Sequence, residues 1–148
     1  MVGWSPGSGL DVTKEILYGI IRDELADRGI ACLVVDTPGV GEPLRLRGVP
    51  SRPDYEVPTT AIVDYLQARP DIDPARIGLL GISLGGYHAP RGAAYEHRIA
   101  AGSADKTLRI FSIAEGGSEH VNADDPDPAR QLIADWFADR LGTIPAHR

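Results

Sequence analysis

The chain has 148 residues, 43% apolar and 24% charged, a composition that suits one globular domain and excludes a disordered, collagenous or fibrous chain. Lys and Arg number 15 against 21 Asp and Glu, so the net charge is -6, and with no basic stripe nucleic-acid binding is not expected. The longest apolar run, Ile30 to Val35, falls far short of the roughly 18 residues a membrane span requires, so no membrane partner is expected either.

Residues 1 to 10 lack the basic and apolar regions of a secretory signal, and the single Cys32 allows no intrachain disulfide; a cytoplasmic location is expected. Val12, Ile16, Leu17, Ile20, Ile21 and Leu25 recur at helical spacing. They predict a first helix over about 13 to 28, ended by Gly29. Ile30 to Val35 reads as a strand buried on both faces, stopped by Asp36-Thr37-Pro38-Gly39. Positions 37 to 58 carry eight Pro and Gly between them (Pro38, Gly39, Gly41, Pro43, Gly48, Pro50, Pro53 and Pro58) and predict a long loop with no regular element. A second helix is expected from Thr59 or Thr60 to Arg69. Ile77 to Ile82 reads as another buried strand and Leu84 to about Tyr95 as the helix after it, interrupted by Pro90. Thr107 to Ile113 is a last strand candidate. The closing helix starts at Asp127-Pro128, carries Ala129, Leu132, Ile133, Trp136, Phe137 and Leu141 as an apolar stripe, and stops at Gly142. Strands alternating with helices predict a single α/β domain over 1–142 with a doubly wound, mostly parallel sheet, followed by a tail over 143–148.

Gly81-Ile82-Ser83-Leu84-Gly85 sits where a strand is predicted to turn into a helix, the setting of a nucleophile elbow. Small residues two before and two after the serine let neighbouring backbones pass in a tight turn, while the Leu84 N–H at the helix start faces a developing oxyanion. The alternative is a glycine-rich turn whose serine caps a helix. A serine hydroxyl also needs a base. Of four histidines, His88 and His97 lie in or just after the helix behind Ser83 and His147 in the tail, so these three read as structural or solvated. His120 follows Glu115-Gly116-Gly117 at the carboxyl end of the last expected strand, the sheet edge where Ser83 also emerges, and is the candidate base; the alternative is an ordinary surface histidine.

Together, Gly9 to Glu15, Asp36 to Glu42, Gly81 to Tyr87 continuing through Ala89-Pro90-Arg91, and Glu115 to His120 resemble the α/β-hydrolase superfamily. Within it the resemblance is to the branch of 2,6-dihydroxypseudooxynicotine hydrolases and fermentation-respiration-switch esterases. It implies a serine hydrolase acting on an ester, or on a carbon–carbon bond beside a ketone, without a cofactor or metal. Ser83 would be the nucleophile, His120 the base, and N–H groups near Gly9 or Leu10 would join that of Leu84 in the oxyanion hole. The family's upstream strands and cap are reduced here to residues 1 to 6, so a shortened, truncated form of its sheet is expected. The strand that normally carries the catalytic acid is missing between Ala101 and Thr107. Asp105 is the nearest substitute by position; Glu119 and Asp124 do not match the motif. A catalytically impaired hydrolase-like domain is therefore the alternative. A third reading takes Asp36-Thr37-Pro38-Gly39 as the DxxG element of a GTP-binding protein, but no phosphate-cradling Gly-Lys-Ser/Thr motif accompanies it.

Parallel neighbours need a crossover of about a dozen residues, so Ile99 to Ala101 and Leu108 to Ile113 cannot both be adjacent parallel strands. The expected wiring makes 99–101 a loop and places Thr107–Ile113 beside Ile77–Ile82, so that Ser83 and His120 meet only if residues 115 to 120 rearrange. That strand would expose an edge favouring a homodimer.

Overall fold

The computed structural model describes residues 2–6 (backbone), 12–99 and 109–142. Strand β1 (Val2–Pro6) leads to helix α1 (Lys14–Ala26), which buries Leu17, Ile21 and Leu25 at four-residue spacing. Gly29 adopts φ 70°, and the Ile30 N–H closes on the Leu25 carbonyl at 2.9 Å, a six-residue wrap that ends the helix and delivers Ile30 into the core. Strand β2 (Ala31–Val35) follows where its apolar run predicts a strand, but it lies at the edge of the described sheet, half-buried with Ala31 exposed, not buried on both faces.

The segment read as a long loop holds two helical starts. Helix α2 spans Gly41–Arg47 and helix α3 spans Glu56–Gln67, several residues earlier than expected. Pro43 and Pro58 each occupy the third position of their helix. The first-turn N–H groups there have no intrahelical acceptor, so a proline removes no helical bond. Counting prolines as breakers therefore misplaced both boundaries.

Strand β3 is Ile77–Leu79, shorter than the expected 77–82 because the chain beyond Leu80 is committed to a turn. Helix α4 (Gly85–Tyr95) contains Pro90, and helix α5 (Asp127–Leu141) is closed by Gly142 at φ 62°. On α5 the buried residues are Ala134, Phe137 and Leu141, whereas Leu132 is exposed.

The sheet is parallel in the order β2-β1-β3, with Val2 opposite both Ala31 and Ile77. Helices cover both faces. On one, Ile21, Leu25 and Ile30 pack with Ala134, Phe137 and Leu141, joining α1 to α5, and Cys32 leans against them. On the other, Val63, Leu66 and Ile72 pack with Ile77 and Ile99, and Leu33 and Leu79 join them. Gly78 lies between Ile77 and Leu79 with its α-carbon facing α5, where a Cβ would stand 2.4 Å from the Phe137 ring. The doubly wound parallel sheet expected from sequence is thus present in shortened form.

The expected strand over Thr107–Ile113 does not form among the described residues. Residues 109–112 have no regular structure and Ile113–Glu115 is a 3-10 turn. Ser112 explains this. Its N–H bonds the Glu115 carboxylate at 3.0 Å and its carbonyl receives the N–H groups of Glu115 and Gly117, so neither group is left for a ladder. Ile110 and Ile113 accordingly stand 75% and 80% exposed. The partner of β3 is β1, not the 107–113 segment, and the edge strand on which a homodimer was expected is absent from the described residues. Ile99 lies in a loop, as expected; 100–108 and the tail over 143–148 lie outside the described residues.

Candidate active site

The turn after β3 has the strain its sequence implies. Ser83 adopts φ 56°, the left-handed region that non-glycine residues seldom enter, and Asn122 is the other non-glycine residue there among those described. Gly81 makes the turn possible. A Cβ at Gly81 would lie 2.0 Å from the Gly85 carbonyl oxygen and 2.9 Å from the Ala89 methyl, so the strand end and the first turn of α4 pass at backbone contact. The Gly85 N–H bonds the Ile82 carbonyl at 2.9 Å and the Gly86 N–H bonds the Ser83 carbonyl at 2.9 Å, which fixes the turn on both sides of the serine. Ser83 itself is exposed above the sheet.

His120 reaches it from a second 3-10 turn (His120–Asn122), with Nε2 3.0 Å from Ser83 Oγ. The expected wiring allowed this contact only through rearrangement of residues 115 to 120 at the end of an extended strand. Because 109–117 folds as turns, the segment comes over the elbow directly. Gly116, at φ 78°, abuts the Asp125 backbone, and Gly117 abuts the Phe111 carbonyl, so both glycines of the Glu-Gly-Gly motif serve close approaches. Hydrogen bonds from the Ser112 backbone and hydroxyl hold the Glu115 carboxyl below the usual carboxylate range. Asp124 accepts from the Ser118 hydroxyl at 2.6 Å and the Ser118 N–H at 3.2 Å, which likewise depresses its carboxyl. Asp124 therefore faces Ser118, and neither it nor Glu119 hydrogen-bonds His120 among the described residues. The positions named for the rest of the machinery, Gly9, Leu10 and Asp105, lie outside the described residues.

Of the other three histidines, two are described. His97 is exposed and His147 lies outside the described residues. His88 is buried against Tyr55, with ring centroids 3.7 Å apart and planes 11° from parallel. Burial, with Arg91 nearby, pushes its pKa down. Tyr55 in turn hydrogen-bonds the buried Thr37 hydroxyl. Asp36, the first residue of the DxxG-like segment, accepts from the Lys14 N–H at 2.8 Å, from Lys14 Nζ at 3.3 Å and from the Glu42 N–H at 3.2 Å. The adjacent Gly41 leaves room for that carboxylate, which a Cβ would meet at 2.1 Å. Asp36 is thus a structural anchor for the starts of α1 and α2. A pocket of about 370 Å³ opens beside it at the carboxyl end of β2, the same sheet edge as the elbow. Among the described residues no cluster of His, Cys, Asp and Glu is placed to hold a metal ion, and no helix is long and apolar enough to cross a membrane.

A glycine-flanked serine at positive φ between a parallel strand and a helix, with a histidine at hydrogen-bond distance, is the architecture of one large group of enzymes. The sequence model of the alpha/beta hydrolase family matches residues 3–148. The chain belongs to that family. It is 36% identical over 139 residues to Hydrolase ORFZ of Pyricularia oryzae, covering 90% of this chain and 31% of the relative. It is 41% identical over 93 residues to the 2,6-dihydropseudooxynicotine hydrolase of Paenarthrobacter nicotinovorans, covering 63% of this chain and 24% of the relative. The crystal structure of a 2,6-dihydroxy-pseudo-oxynicotine hydrolase superposes with a TM-score of 0.60 at 38% identity, over 67% of this chain and 27% of that one. The resemblance read from the four motifs is borne out at the level of family and fold. The chain spans between a quarter and a third of the length of these relatives.

The sequence reading missed Asn122 as part of the site. The available signal was its residue type: asparagine is the side chain best suited after glycine to left-handed backbone, and it stands two residues after the candidate base.

Proposed function

We propose that the chain is a serine hydrolase centre, with Ser83 as nucleophile and His120 as general base, acting on an ester or on a carbon–carbon bond beside a ketone. The observation that carries this reading is the 3.0 Å contact between His120 Nε2 and the hydroxyl of a serine held at φ 56°. Nε2 takes the hydroxyl proton as Oγ attacks the substrate carbonyl carbon. The carbonyl π electrons move onto oxygen, which accepts from the Leu84 N–H at the start of α4, one of the helix-start N–H groups with no intrahelical acceptor. When the tetrahedral species collapses, the proton on His120 passes to the departing alkoxide of an ester, or to the enolate carbon of a ketone. Water, deprotonated by the same Nε2, then cleaves the acyl-serine and restores the hydroxyl.

The second reading, an impaired hydrolase-like domain, is favoured by one observation: no carboxylate bonds the other ring nitrogen of His120 among the described residues. Where such an acid exists in a serine hydrolase, its loss lowers turnover by about 10⁴-fold. Hydrolysis of p-nitrophenyl acetate tests both. Turnover that vanishes in Ser83→Ala and falls about 10²–10⁴-fold in His120→Ala supports the active dyad. Turnover at background in the unmodified chain supports the impaired form, and equal turnover in Ser83→Ala excludes Ser83 as the nucleophile.

A further inference from the structure

We infer that Asn122 and Asp124 are the positioning residues that aim His120 at Ser83, an inference that rests on the dyad proposed above. Residues 117–120 and 123–125 are exposed, so among the described residues little side-chain packing holds His120 in place. Three side-chain bonds do. Asn122 Nδ2 donates to the Gly116 carbonyl at 2.9 Å, and Asp124 Oδ2 accepts both the hydroxyl and the N–H of Ser118, at 2.6 Å and 3.2 Å. These bonds begin before His120 and end after it, so the chain between Gly116 and Asp124 is closed into a loop with the imidazole at its far side. The backbone repeats the message. Asn122 at φ 59° and Gly116 at φ 78° are both left-handed, and between them they reverse the chain so that the 3-10 turn carrying His120 faces the elbow.

An acid bonded to the second ring nitrogen is one way to orient an imidazole. In this chain the described residues place no acid there, and the ring direction is instead set through the backbone that bears it. Asn122 is the sharper of the two residues, because one side chain supplies both the left-handed φ and the amide donor. Aspartate at 122 tolerates the same φ and has nearly the same shape, but as a carboxylate it cannot donate to the Gly116 carbonyl. Asn122→Asp therefore removes the bond while keeping the backbone conformation.

The test measures the rate at which a fluorophosphonate probe labels Ser83 in the full chain, for Asn122→Asp and Asp124→Ala, each also combined with His120→Ala. A displacement of about 1 Å at a catalytic group costs about 10²-fold in rate, so each variant should label about 10- to 100-fold more slowly than the unmodified chain. In the His120→Ala background the same substitutions should change the remaining rate less than about twofold, because a residue that acts only through His120 has nothing left to aim. If the unmodified chain labels, and does so through Ser83 and His120, yet both variants label at its rate, the inference is overturned and the dyad stands. If the substitutions slow labelling equally with and without His120, their role is general support of the fold and the inference is again overturned. If the unmodified chain shows no Ser83-dependent labelling, the dyad itself falls and this inference with it.

Discussion

Replacing Gly81 by alanine should damage the site far more than its single methyl group suggests. The new Cβ would stand 2.0 Å from the Gly85 carbonyl oxygen, where carbon and oxygen need about 3.3 Å, and 2.9 Å from the Ala89 methyl. The first turn of α4 must retreat by roughly 1.3 Å on this account, and Gly85 is already buried, so the helix has to move as a body. Overpacking of this kind costs about 1–3 kcal/mol, which for a chain of this size lowers Tm by about 2–10 °C. The functional cost is larger. Ser83 lies between Gly81 and the displaced turn, and a shift of about 1 Å in its hydroxyl should reduce p-nitrophenyl acetate hydrolysis about 10²-fold. Thermal melts followed by circular dichroism, together with the hydrolysis assay, read the two effects separately. A Gly81→Ala chain with unchanged Tm and turnover within twofold of the parent would refute the claim that close backbone contact at this position shapes the elbow.

Gly19 is the opposite case: it lies within α1, and a Cβ there meets nothing within 4 Å, so Gly19→Ala should stabilise the chain by about 0.5–1 kcal/mol in urea unfolding, with turnover unchanged. Tyr55→Phe strips the buried Thr37 hydroxyl of its partner and should cost about 1–3 kcal/mol in the same assay; a loss near zero would show that this bond contributes nothing net. His88 is held below its ordinary value of 6.5 by burial, with the Arg91 charge adding to the shift, so above 6.5 both folded and unfolded states keep it neutral. As pH falls below 6.5 the unfolded chain takes up a proton that the folded chain resists, and stability should decline; His88→Gln should flatten that decline, measured as urea midpoints between pH 7.5 and about 5.

How much could be read before the coordinates differs by element. Residues whose burial follows a simple period were legible: the Leu17-Ile21-Leu25 face of α1 and Phe137 with Leu141 end in the core, as does Ile30 at the head of the apolar run. The elbow was legible because the glycines at 81 and 85 bracket Ser83 at the spacing of the motif, and Gly81 meets a close backbone approach that excludes a larger side chain. The helix over 41–47 and the first turn of the helix over 56–67 were hidden, because proline in a first turn looks like a breaker unless its position in the helix is known. The 107–113 segment misled for the reverse reason. The apolar residues between Leu108 and Ile113 read like a strand, but local bonds from Ser112 to Glu115 and Gly117 outcompete a ladder, and no sequence pattern reports that competition. Asn122 was overlooked because its residue type is only a weak sign of the left-handed angle it adopts, and its bond to the Gly116 carbonyl has no motif.

The central claim is that Ser83 is a nucleophile activated by His120. It is tested most directly by treating the chain with a fluorophosphonate, measuring its intact mass and mapping the modified peptide. The account predicts a single phosphonyl adduct on the peptide containing Ser83, absent from Ser83→Ala and formed much more slowly in His120→Ala. An unmodified mass under conditions that label other serine hydrolases, or an adduct that persists in Ser83→Ala, would contradict it.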